Sequence, residues 1–168
     1  MLSCSESNKT KNDSKVYSSN LHHVQFEYPS NWELSFQPDS SNPNAILSLK
    51  NPIENQADFY AEEINIVHEQ LPMKISDSLY HASTIGQIKI TNPDLEIENT
   101  GKEKYGNHSF STFKFEFTPD SGKSYYQVNG YTLQKDSMAY TINLTTESKQ
   151  SKSFEPIIES LLKSFKAL

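Results

Sequence analysis

From Leu21 onward, apolar and polar residues alternate in short runs, and period-two alternation predicts half-buried strands. His22, Val24, Phe26 and Tyr28 fall on one face of a strand over 21–28, with His23, Gln25 and Glu27 on the other. Pro29-Ser30-Asn31 predicts a turn, and further strands follow over 32–36, 45–50 and 62–69, with 38–44 read as a loop. Ile64, Ile66 and His68 share a face of the strand over 62–69. Four more strands are expected over 95–102, 108–118, 124–134 and 138–145, the last three as a meander. The clearest is 108–118, where Phe113, Phe115 and Phe117 alternate with Thr112, Lys114 and Glu116, before a turn at Pro119-Asp120-Ser121-Gly122. In 138–145, Met138, Tyr140, Ile142 and Leu144 are expected to face inward.

Two stretches break this rhythm. Ile75, Leu79, Ala82 and Ile85 recur at helical spacing, with Ser76 and Asp77 as start signals and Asn92-Pro93-Asp94 as the stop. Near the end, Phe154, Ile157, Ile158, Leu161, Leu162 and Phe165 form one apolar stripe, with Ser153 as cap and Pro156 in the first turn. A helix that short is marginal alone, so its stripe must lie on the sheet. The predicted class is α+β: a mostly antiparallel β-sheet of about six to eight strands, flanked by helices.

Residues 1–20 differ in kind. Ser5 to Asn20 holds one aliphatic residue, Val16, among serines, asparagines and lysines, and such a segment cannot repay the entropy of ordering. It is read as a flexible tether of about sixteen residues spanning roughly 20–25 Å. Residues 21–168 are then one domain, long enough to bury a real core.

Charge and motifs exclude more than they assign. The chain has 168 residues and net charge −6, and its fifteen basic residues are all Lys. Without Arg, or any basic patch, nucleic-acid readout and a phosphate clamp are disfavoured. No segment is long and apolar enough for a membrane-spanning helix. The glycines at 86, 101, 106, 122 and 130 form no phosphate-cradling loop, and nucleophile-elbow and zinc-protease motifs are absent. His22 and His23, adjacent on a strand, would point to opposite faces, and His22 could meet His68 only if their strands were neighbours. No metal and no cofactor are therefore assigned. Glu62, Glu63, Glu96 and Glu98 are paired acids of the kind that bind calcium weakly or do acid–base work, yet are most often simply solvated. Tyr125, Tyr126 and Tyr131, with Asn129, offer either a binding surface or one tyrosine in the core and another under the helix. No residue is assigned a catalytic role.

One residue carries an address. Cys4 is the single cysteine, in Met1-Leu2-Ser3-Cys4, with the polar tract directly behind it. It cannot form an internal disulfide, and nothing beside it completes a metal site. It resembles the cysteine at which bacterial lipoproteins are cleaved and acylated, which implies a lipid anchor at Cys4. A secretory signal needs an apolar stretch of about 7–15 residues ahead of the cleavage site. Only three residues precede Cys4 here, so this reading expects the true start to lie upstream of Met1. The alternative is a cytoplasmic protein with one free thiol.

Phe26-Glu27-Tyr28-Pro29-Ser30-Asn31-Trp32 resembles the F-x-Y-P-x-x-W entry of PsbP-like domains, and Ser164-Phe165-Lys166 is similar to that family's S-F-K ending. The resemblance implies an α/β/α sandwich, seen in photosystem II extrinsic subunits and in bacterial envelope lipoproteins, most of which act by binding. The matched positions are core positions, so no functional residue is carried over. The expected function is a membrane-anchored envelope lipoprotein with a non-catalytic binding domain and an envelope protein as partner. The alternatives are a hydrolase with a spatially assembled site and a photosystem II-associated subunit.

Overall fold

Among the described residues, ten strands and two α-helices follow in the order β1 (Ser14–Ser19), β2 (Val24–Pro29), β3 (Glu33–Ser35), β4 (Ala45–Lys50), β5 (Glu63–Gln70), α1 (Asp77–Thr91), β6 (Ile97–Tyr105), β7 (His108–Phe117), β8 (Tyr126–Lys135), β9 (Met138–Glu147), α2 (Ser151–Ser164) and β10 (Lys166–Ala167). The computed structural model describes residues 13–36, 45–53, 60–118 and 124–168. Cys4, residues 1–12, the loop read over 38–44 and the turn at Pro119 to Gly122 lie outside the described residues.

Seven strands form one sheet in the order β3-β4-β5-β9-β8-β7-β6, and β1-β2-β10 form a second, with every pairing antiparallel. The expected antiparallel α+β architecture is what is found. Tyr140, Ile142 and Leu144 of β9 face one side, as the alternation predicts, and meet Val24, Phe26 and Tyr28 of β2 together with Ile158, Leu161, Leu162 and Phe165 of α2. Phe26 and Phe165 stack with centroids 6.4 Å apart, and Tyr140 meets Phe165 edge-on at 5.4 Å. The small sheet and α2 thus form one layer on the large sheet, and α1 covers part of the opposite face.

Several expectations need correction. The tether does not run to Asn20: Ser14–Ser19 pairs residue for residue with β2, and Tyr17 packs on Phe26 at 5.2 Å. A polar strand holds here because an antiparallel partner satisfies its backbone, while its side chains stay largely exposed. The first strand also starts later than Leu21. Residues 20–23 form the turn into β2, and His23 takes φ +51°, so His22 and His23 are turn residues rather than strand neighbours. The strand expected over 95–102 also runs further, past Lys102. Gly101 adopts φ +101° at a register shift, and β6 continues to Tyr105.

A further correction concerns α1. Ser76 caps it as expected, its Oγ accepting from Leu79 N at 3.2 Å. The apolar stripe, however, does not face the sheet: Leu79 is 55% exposed, and the buried residues are Tyr80 and His81. The sheet face beneath carries threonines. Tyr80 bonds Thr141 at 3.0 Å and His81 Nδ1 bonds Thr132 at 2.9 Å, so the helix docks through polar contacts. At the other helix, α2 begins at Ser151 with no side-chain cap and carries Pro156 inside it, and its stripe packs as predicted.

Candidate functional site

The alternation of β8 sends Tyr131 to the α2 side of the sheet, while Tyr126 points to the α1 side and Tyr125 is exposed. Beside Tyr131, β6 supplies Glu103 and Tyr105 from one face, two residues apart. Above them α2 supplies Glu155 and Glu159, one helical turn apart on one face. These side chains line a cleft of about 300 Å³ between α2 and β6–β8. Ile158 and Leu144 form apolar lining, and Thr112, Lys114 and Asn129 complete the wall.

Two glycines shape this cleft. Gly106 turns β6 into β7 at φ +56°, and a Cβ there would lie 2.6 Å from the carbonyl oxygen of Lys163 in the last turn of α2. The bare backbone lets the β6–β7 turn press against the helix. Gly130 leaves room on the opposite face for the ring of Phe113, which lies flat over it where a Cβ would stand 2.0 Å from Cζ.

The electrostatics are uneven. The Tyr105 hydroxyl donates to the Glu103 carboxylate, and the two tyrosine rings meet edge-on at 6.0 Å. Burial pushes the Tyr105 phenol well above its usual range, and the bond to Glu103 adds to this. Burial likewise raises Tyr131, followed by the negative charges of Glu103, Glu155 and Glu159. Tyr131 is only 9% exposed, and its hydroxyl has no hydrogen-bond partner among the described residues. Glu159 pairs with Lys163 at 2.7 Å, whereas Glu103 and Glu155 have no cationic partner among the described residues. The arrangement therefore presents two protonated phenols and uncompensated negative charge to one hollow.

The other candidates are dispersed. Glu62 is not solvated: it is 3% exposed and accepts from Asn51 Nδ2 at 3.0 Å. Glu63 pairs with Lys50 at 3.7 Å and accepts from Ser48. Glu96 and Glu98 border an open groove of about 680 Å³ along β6 and β7. His22 and His68 do meet although β2 and β5 are not paired, because the turn into β2 that carries His22 lies over the large sheet. Their rings are 5.4 Å apart at 78°, and the Nδ1 of each is buried without a hydrogen bond. Burial, then His22 and His23, lowers the His68 pKa. Among the described residues, no three His, Cys, Asp or Glu side chains are grouped to hold a metal ion. The hydroxyl–imidazole pair of Thr132 and His81 is sealed under α1, where Thr132 Oγ1 also donates to the Ser111 carbonyl at 3.2 Å. Among the described residues, no helix is long and apolar enough to cross a membrane.

Sequence reasoning had singled out Tyr131 and Asn129 but missed Glu103, Tyr105, Glu155 and Glu159. The available signal was spacing: a Glu-x-Tyr on one strand face, and two glutamates at i and i+4 beside the apolar stripe.

An antiparallel sheet with a helix on either side and a small N-terminal sheet beside the closing helix defines an α/β/α sandwich. The chain belongs to the PsbP-like protein family, whose profile matches residues 2–167. Its fold is similar to that of cyanobacterial PsbP (CyanoP) from Synechocystis sp. PCC 6803, with 12% identity and a TM-score of 0.62 over 100% of this chain and 99% of that one. LpqN of Mycobacterium tuberculosis, described as involved in cell envelope biogenesis, shares 12% identity with a TM-score of 0.60, covering 85% of this chain and 82% of its own. A protein from Bacteroides thetaiotaomicron VPI-5482 shares 15% identity with a TM-score of 0.61 over 92% of this chain. This chain spans 48% of that protein's length. No curated protein matches the sequence. At these identities the likeness is one of fold.

Proposed function

We propose that this protein is a binding domain of the cell envelope, held to the membrane by acyl chains on Cys4, with the cleft under α2 as its binding surface. The observation that carries the binding role is Tyr131, whose ring is largely buried while its hydroxyl, bonded to none of the described residues, opens into a hollow ringed by carboxylates. Polar groups converging on a partly apolar hollow are the mark of a binding site. The cleft's own groups suit recognition better than covalent chemistry. Its phenols are held protonated by burial and neighbouring charge, and among the described residues no imidazole or thiol lines it. The anchor is supported by Leu2-Ser3-Cys4 and the polar residues behind it, and the envelope setting by the involvement of LpqN in cell envelope biogenesis. A diacylated cysteine supplies the two chains that stable anchoring needs.

Growth of the source cells with radioactive palmitate tests the anchor. Label is expected on the wild-type protein and absent from Cys4→Ala. An unlabelled wild type, or equal label on the variant, overturns it.

A further inference from the structure

We propose that the cleft between α2 and β6–β8 binds an organic cation carrying an alkylammonium group. The inference deepens the binding role proposed above and rests on it for the location of the site. Glu103, Glu155 and Glu159 face the hollow, and among the described residues Lys114 is the one cation in its lining. Among the described residues, Glu159 alone of the three carboxylates has a cationic partner, Lys163 at 2.7 Å. Glu155 and Glu159 stand at i and i+4 on α2, where like charges destabilise a helix by about 0.2–0.5 kcal/mol. Lys163, one turn further on, accounts for Glu159 as a helix pair, but no such partner accounts for Glu155 among the described residues, and a bound positive charge removes the cost of its repulsion with Glu159.

The phenols select among cations. Tyr105 and Tyr131 meet edge-on and present aromatic surface beside the carboxylates. Aromatic faces attract ammonium groups. The Tyr131 oxygen, free of any hydrogen bond among the described residues, accepts from an N–H of the ligand. A hard divalent ion needs six or more oxygens converging at about 2.0–2.6 Å. The carboxylates here come from a strand and a helix on two walls of the hollow, and they do not group as metal ligands. A volume of about 300 Å³ accepts an extended chain such as a diamine or the end of a lysine side chain. Ile158 and Leu144 offer apolar lining to its methylenes.

Two sources share this chemistry, a free diamine and a lysine side chain of a partner protein. Isothermal titration of the unacylated full chain at low ionic strength tests the site with cadaverine and with N-acetyl-lysine amide, using 1,5-pentanediol as the uncharged control. Saturable binding of the ammonium probes is expected, with a Kd on the order of millimolar, and none of pentanediol. A tighter fit of cadaverine assigns the site to free diamines, and a tighter fit of the lysine amide assigns it to a basic side chain. The double variant E155Q/E159Q is expected to weaken binding at least about tenfold. Tyr131→Phe keeps the ring and removes the acceptor, for a loss of about threefold. Far-UV spectra matching the wild type show that the variants are folded. Equal binding of pentanediol, unchanged affinity in E155Q/E159Q, or tighter occupancy by calcium overturns the proposal. The titration uses no lipid, so its failure leaves the palmitate test of Cys4 untouched, and failure of that test leaves the titration standing.

Discussion

Gly130→Ala is expected to destabilise the domain by about 2 kcal/mol, with one side chain responsible. Gly130 pairs with Phe113 across β8 and β7, and the Phe113 ring occupies the space a Cβ would take. The new methyl carbon would stand 2.0 Å from Cζ and 2.4 Å from both Cε atoms, against an ordinary contact of 3.4–4 Å. The ring must therefore withdraw by more than an ångström. Phe113 is 1% exposed, with His81 at 5.9 Å and Phe115 stacked at 6.3 Å. Withdrawal displaces a packed neighbour or opens a void. Overpacking of this kind costs about 1–3 kcal/mol. The backbone offers no further penalty, because Gly130 does not take a positive φ. Alanine's lower chain entropy in the unfolded state recovers part of the cost, about 0.5–1 kcal/mol. Urea unfolding should show a lower midpoint with an unchanged slope, and a fall in Tm of about 4–8 °C. In a Phe113→Leu background the same substitution should cost about 0.5 kcal/mol or less, a coupling above about 1 kcal/mol. Additive effects, or a stabilising Gly130→Ala, would refute the steric reasoning.

Other expectations follow from the same contacts. Gly106→Ala combines a positive φ with a Cβ 2.6 Å from the Lys163 carbonyl, so a loss of about 2–3 kcal/mol is expected by urea unfolding. Deleting residues up to Asn20 removes β1 and uncovers Phe26; the truncated domain should melt at least about 5 °C lower, whereas a merely flexible tether would leave Tm unchanged. His68, His81 and His108 all have pKa values lowered chiefly by burial. Their unfolded forms take up protons first, so stability is highest above pH 6.5 and falls as pH drops through 6.5 towards the folded-state values. Melting from pH 8 to pH 5 should show that fall, and His68→Gln should flatten it by up to about one proton's worth of slope.

The parts of the fold legible in the sequence are those where burial follows polarity. Val24, Phe26 and Tyr28, or Tyr140, Ile142 and Leu144, alternate because one side of each strand meets the core, and the α2 stripe obeys the same rule. Where burial is polar, the rule misleads. The α1 surface that docks is Tyr80 and His81, held by hydroxyls of Thr141 and Thr132, so an apolar stripe pointed to the wrong face. β1 was invisible because its side chains remain exposed and its stability lies in backbone pairing with β2. The cleft was hidden for another reason. Glu103 and Tyr105 fall beyond the strand expected over 95–102, and Glu155 and Glu159 sit beside the apolar stripe of α2 with nothing in the sequence to set them apart from solvated helix positions. Only the docking of α2 across the sheet brings those two segments, some fifty residues apart in the sequence, around Tyr131.

The location of binding is the claim on which the account depends most, and amide shift mapping measures it directly. A ¹⁵N-labelled full chain titrated with cadaverine should show its largest shifts at Glu103, Tyr105, Thr112, Tyr131, Glu155 and Glu159. Amides across the sheet at Thr84, Gln87 and Thr141, beside the second cleft of about 350 Å³ under α1, should stay still. Shifts concentrated at that second cleft, or absent from both, would contradict the account.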